Sequence, residues 1–468
     1  MRAPREPAPP ETVPPTSTSP KPAPTLGWLA IFRLGLVQTS LGSIVVLCTS
    51  LLNRVMVVEL MLPALLPGAL VSLYYTVQLL RPRLGYGSDV SGRRTPWIIG
   101  GMAVLSAGGA LAVTATVWME QATLAGVALA VVAFILIGIG VGAAGTALLT
   151  LVAKRIEPRR RPTAATIIWL MMIFGFIITT ASAGQLLDPF SASRLMAVGC
   201  GVAAAAMLIT IVAVWGVEGH HLPSTAVGEA DGEPRTASAP FKEAIREVWA
   251  EPIARQFTIF VFVSMLGYGA QDLVLEPFAG AVFAYTPGES TTLSSFQYQG
   301  ILLGMLLVGG LGPYLGTLRI WMVIGCTGSA IAMLFLMSAG FVGPAFPLRI
   351  AVVALGVMLG IFAVAAIGSM MSLVDAGRER REGIRMGLFG GAQAIAVGVG
   401  GIVATGLVDL VRWIMGTPLF AYAGVFMAQG LVFLAAAVLA ARLGRIAEAQ
   451  QKLNVKDAGE GYAAGLGG

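Results

Sequence analysis

Apolar runs of about 20 residues recur from residue 28 to residue 441, and no other feature restricts the fold so tightly. At 1.5 Å of rise per residue, each run is long enough to cross a hydrocarbon layer of roughly 30 Å as a helix. Lipid offers no partner to backbone polar groups, so the runs must satisfy their own hydrogen bonds as helices. Of the 468 residues, 56% are hydrophobic and 12% charged. An average soluble domain carries about 25% charged residues, so a water-soluble fold is excluded and an all-α membrane protein is expected. The 59 glycines suit helices packed closely in lipid.

The periodic apolar segments predict twelve transmembrane helices in two six-helix halves. The spans of the first half are 29–58, 64–81, 96–118, 122–153, 163–187 and 194–217. Those of the second are 256–283, 298–317, 319–341, 347–374, 384–409 and 417–441. Trp97 and Trp118 flank the third span, where interfacial tryptophans belong. The organisation is therefore a proline-rich tail over 1–27, a six-helix half over 28–217, a polar linker over 218–255, a second half over 256–443 and a tail over 444–468. Within the linker, Phe241, Ile245, Val248 and Trp249 recur at helical spacing and predict a short interfacial helix.

With odd and even connections alternating across the membrane, all 30 lysines and arginines except Arg54, Arg194, Arg349 and Arg412 fall on one side. The positive-inside rule makes that side, which holds both termini, cytoplasmic. The net charge of +6 is thus a matter of topology, and no nucleic-acid partner is implied. Cys48, Cys200 and Cys326 lie inside apolar spans and read as small packing residues. The first 25 residues contain no cleavable apolar stretch and read as a disordered cytoplasmic tail.

Between the second and third spans, Gly85, Asp89, Gly92, Arg93 and Arg94 occur in an order that resembles the signature loop of the major facilitator superfamily. Gly92 permits a tight turn, while Asp89 can accept from a helix N-terminus and pair with an arginine, making the loop a conformational latch. The halves also resemble each other. The shift that carries Leu151-Val152 and its basic loop onto Leu373-Val374 carries Arg54 onto Glu276.

Ionisable groups inside a span are costly and are treated as functional. Asn53, Arg54 and Glu59 cluster toward the outer end of the first span, and Gln271, Asp272 and Glu276 in the outer half of the seventh. An ion pair between the halves, Arg54 with Glu276 or Asp272, is expected, with Pro277 weakening the helix beside it. The alternative is that these groups satisfy one another and bind nothing. His220 and His221 lie in the linker, so a pigment magnesium held in a span would need a weaker ligand such as Gln271, Asn53 or Glu276. The chain has no paired-aspartate diphosphate motif and no nucleotide-binding loop, so no catalytic residue and no metal site are predicted.

Three stretches are more specific: Leu52-Asn53-Arg54-Val55-Met56 continuing to Glu59, Arg93-Arg94-Thr95-Pro96-Trp97, and Gln271-Asp272-Leu273-Val274-Leu275-Glu276-Pro277. Together they resemble the PucC and LhaA type bacteriochlorophyll-delivery family of that superfamily. The resemblance implies a non-enzymatic assembly factor in the bacterial inner or intracytoplasmic photosynthetic membrane. Its partners would be the lipid bilayer, bacteriochlorophyll, light-harvesting antenna polypeptides and bacteriochlorophyll synthase. Bacteriochlorophyll a would be a cargo, not a tightly bound cofactor. Two other readings stand beside it: a proton-coupled transporter of a small amphipathic or anionic solute, and a pigment-free scaffold for antenna assembly.

Overall fold

A computed structural model of the chain describes residues 26–81, 83–84, 93–156, 160–217, 246, 248–375 and 382–465. The first half contains α1 (Trp28–Glu59), α2 (Leu65–Leu80) and α3 (Thr95–Trp118). It continues with α4 (Thr123–Arg155), α5 (Arg161–Leu186) and α6 (Ala192–Val214). The second half contains α7 (Pro252–Phe283), α8 (Pro287–Leu315) and α9 (Leu318–Val342). It ends with α10 (Leu348–Asp375), α11 (Glu382–Met415) and α12 (Pro418–Gly465). Ten of these are long and apolar enough to cross a membrane, which makes the chain a multi-pass membrane protein. The other two are α2, which is short, and α8, whose first three turns are polar.

The packing repeats with a shift of six helices. In the first half α1 packs on α5 and α6, α3 on α4 and α6, and α2 on α4; in the second, α7 packs on α11 and α12, α9 on α10 and α12, and α8 on α10. The halves meet through α5 with α8 and α2 with α11, which are themselves related by that shift. Small residues allow the close approach: Gly68 of α2 lies against Thr405 of α11, and Gly184 of α5 against Thr292 of α8. Among the crossing helices α1 and α7 are the most enclosed, and α5 and α6 the least.

Two boundaries differ most from the expected ones. Helix α8 begins at Pro287, a full three turns before the predicted 298, because Thr286 and Glu289 form a capping box there. Its first turns carry Ser290, Thr291, Ser294, Ser295 and Gln297, all buried against the other helices, so hydropathy alone hides them. Helix α12 runs into the segment expected to be a frayed tail, which is rich in the helix formers Ala, Gln and Glu. The linker positions Phe241 and Ile245 lie outside the described residues, while Val248 is buried and Trp249 exposed just before α7.

Candidate functional site

The outer half of α1 is not a regular α-helix. Two π-helical turns, Leu47–Leu51 and Val55–Glu59, bracket the three residues Leu52–Arg54. Such turns shift a helix's register and concentrate at functional positions. Here they bracket Asn53 and Arg54, both 1% exposed, which reach α7 and the turn after it in the opposite half.

Asn53 answers a vacancy made by sequence. Pro277 has no N–H, so the carbonyl of Leu273, four residues earlier, cannot form its helical hydrogen bond. The Asn53 side-chain amide donates to that carbonyl at 2.7 Å, and α7 runs on through Pro277. Its own Oδ1 has no partner among the described residues.

Glu276, 1% exposed, collects three hydroxyls: Ser50 of α1 and Ser294 of α8 donate to Oε1 at 2.6 Å each, and Thr291 donates to Oε2 at 3.3 Å. This overturns the expected pairing of Arg54 with Glu276 or Asp272. The Arg54 guanidinium passes over Gly280, which has no side chain to block it, and pairs at 2.6 Å with Glu59 of its own helix. It also donates to the carbonyl of Tyr285, just beyond the C-terminus of α7, at 2.6 Å. A cation suits that helix end, and an acid near the surface loses less hydration on pairing than a fully buried one.

Gln271 accepts at 2.9 Å from Gln297 of α8, and its own Nε2 is buried without a partner among the described residues. Asp272 is half-buried and forms no hydrogen bond among the described residues. Tyr75 of α2, Tyr268 of α7 and Tyr298 of α8 lie within its electrostatic reach. The seam therefore combines a closed hydroxyl network around Glu276 with open polar capacity at Asn53, Gln271 and Asp272.

Toward the outer surface, Asp409 of α11 accepts from the backbone N–H groups of Ala64 and Leu65 at 2.9 and 2.8 Å. Helix α2 has no side-chain cap of its own, so the other half supplies it. At the related position Asp188, after α5, lies against Gly288 in the first turn of α8. Ser72 donates to Gly398 at 2.6 Å and Ser295 to Ile177 at 3.4 Å. These contacts seal the seam from its outer end to the middle of the bundle.

Sequence reading located Asn53, Arg54, Glu59, Gln271, Asp272 and Glu276, and the structure brings them into one region. It missed Ser50, Thr291, Ser294, Gln297 and Asp409. The spacing of Thr291, Ser294 and Gln297 along one helical face was the available signal. In the signature loop, Gly85, Asp89 and Gly92 lie outside the described residues, while Arg94 is buried and Arg93 exposed just before α3.

Over 421 residues the chain is 51% identical to a protein of Rhodobacter capsulatus named bacteriochlorophyll synthase 44.5 kDa chain, covering 89% of this chain and 95% of that one. It is 29% identical over 383 residues to protein PucC of Cereibacter sphaeroides, covering 79% and 81%. Among solved structures, a bacterial homologue of the human drug peptide transporters superposes with a TM-score of 0.65 at 15% identity, covering 91% of this chain and 99% of that one. The nucleoside transporter NupG superposes with a TM-score of 0.62 at 14% identity, covering 88% and 98%. These transporters share the fold, that of the major facilitator superfamily. The PUCC protein family matches residues 51–447, from the first π-helical turn of α1 into α12, and the chain belongs to that family.

Proposed function

We propose that this protein is a non-enzymatic assembly factor of the bacterial photosynthetic membrane that handles bacteriochlorophyll for antenna polypeptides. Family membership and the pigment-related name of its 51%-identical relative support a pigment-handling role. The observation that carries the reading is the unused polar capacity in the seam, beside the closed hydroxyl network of Glu276. Among the described residues, Asn53 Oδ1 and Gln271 Nε2 are buried without partners, and the half-buried Asp272 forms no hydrogen bond. A buried polar atom without a partner costs about 1–3 kcal/mol, which a ligand's polar edge would recover. Asn53 Oδ1 and the Asp272 carboxylate, which accept no hydrogen bond among the described residues, are the oxygens most open to a pigment magnesium. The long apolar tail of such a pigment would leave the seam sideways between helices. No residue is assigned a catalytic role.

The half-buried Asp272 also fits a second reading, in which it carries a proton for a solute transporter. Gentle purification, with an absorption spectrum and identification of co-purifying polypeptides, separates the readings. Bound bacteriochlorophyll that is lost in Asp272→Asn or Asn53→Ala supports carriage through the seam. A colourless preparation retaining antenna polypeptides supports the pigment-free scaffold, and one with neither favours solute transport.

A further inference from the structure

A groove of about 430 Å³ lies between the outer parts of α5 and α6, away from the seam. Ser182, Ala183 and Leu186 form one wall, and Ala197, Val198, Gly201, Val202 and Ala205 the other. Its outer end is Arg194, one of the few cations on that side of the membrane. From Arg194 to Ala205 the groove follows α6 for roughly 16 Å at 1.5 Å per residue. That is about half of the 30 Å hydrocarbon thickness, the depth of one leaflet.

Arg194 is exposed, and its guanidinium donates to the carbonyl of Asp188. The remaining donors have no partner among the described residues. The Asp188 carboxylate does not line this groove; it faces Gly288 and a separate small pocket. The N-terminus of α6, capped by Ser191, adds its positive end at the same level. The groove thus presents a cation at headgroup depth above a carbon-lined channel one leaflet deep.

The geometry points to a binding site for an outer-leaflet phospholipid, its phosphate on Arg194 and one acyl chain between α5 and α6. An uncharged lipid would fill the channel and leave Arg194 unused, so the phosphate is the discriminating contact.

The test uses purified, delipidated full-length protein and native mass spectrometry with two lipids of identical acyl chains, phosphatidylglycerol and monogalactosyl diacylglycerol. The wild type should retain one phosphatidylglycerol about tenfold more tightly than the galactolipid, the worth of one charge-assisted contact. Arg194→Gln should remove that preference. Gly201→Leu should weaken both lipids, and a Cβ at Gly201 meets nothing within 4 Å, so the bundle tolerates the change. Ala205→Leu fills the channel one turn deeper and serves if the first variant does not accumulate. Equal retention of the two lipids by the wild type would overturn the proposal, as would phosphatidylglycerol binding unchanged in Arg194→Gln or in both filling variants.

Discussion

Asn53 in one half completes the helix that Pro277 leaves incomplete in the other, through a 2.7 Å hydrogen bond to the carbonyl of Leu273. The two residues do not touch as donor and acceptor; they are coupled through a single backbone oxygen. Asn53→Ala should therefore destabilise the protein by about 1–3 kcal/mol, the cost of an orphaned buried acceptor. Pro277→Ala restores a backbone N–H in reach of that acceptor, so the double variant should be more stable than Asn53→Ala alone. A double-mutant cycle of thermal unfolding in detergent measures the coupling. Additive effects would refute it.

The three hydroxyls on Glu276 predict a graded response. Serine and threonine hydroxyls both donate and accept, so the network can rearrange around an amide. Glu276→Gln should accumulate to near wild-type levels on immunoblots, whereas Glu276→Ala, which strands three hydroxyls, should lose several-fold in abundance. If the reading of the seam holds, Glu276→Gln will lower antenna absorbance in whole cells more than it lowers protein. A proportional loss of both would make Glu276 purely structural.

Asp409 is a lock that sequence reading did not find. Asp409→Ala removes two charge-assisted hydrogen bonds, each worth roughly 1.5–3 kcal/mol, from the outer contact between α2 and α11. The outer end should open more often, and a cysteine placed at Gly406 of α11, where a Cβ meets only Leu65 at 3.6 Å, should react at least tenfold faster with a membrane-impermeant maleimide. The comparison needs a background lacking Cys48, Cys200 and Cys326. Unchanged labelling would mean that the glycine contacts alone hold this end closed.

Arg54 and Glu59 form a partly exposed pair, so their two sides are unequal. Glu59→Gln should cost about 1–2 kcal/mol, because the amide still accepts from Arg54 but leaves that buried cation without its counter-charge. Arg54→Met should cost more, about 3 kcal/mol, because it also removes the contact to the Tyr285 carbonyl and 1%-exposed packing beside Gly280. Equal losses in unfolding measurements would contradict the observed geometry.

The helices were legible because lipid imposes length and hydropathy on each span, and α3 shows it: its observed bounds, Thr95–Trp118, start one residue before the predicted ones. Helix α8 was legible only in part, since an inner helix facing a seam keeps serines and glutamines that mimic a loop. The site's location followed from the cost of burying charge. Its pairing did not, because side-chain reach decides it: Gly280 gives Arg54 a path outward that spacing along the chain does not encode. Asp409 escaped because its partners are backbone amides, which carry no sequence signal.

The hydrogen-bond ladder of α7 is completed by a side chain from the other half of the bundle. A motion that parted α1 from α7 at this point would strand the buried Leu273 carbonyl, at a cost of about 1–3 kcal/mol. A hydrogen-bond donor that entered the seam and met the Leu273 carbonyl would offset that cost. If the seam takes a cargo as proposed, Pro277 would couple recognition of that cargo to the parting of the two halves.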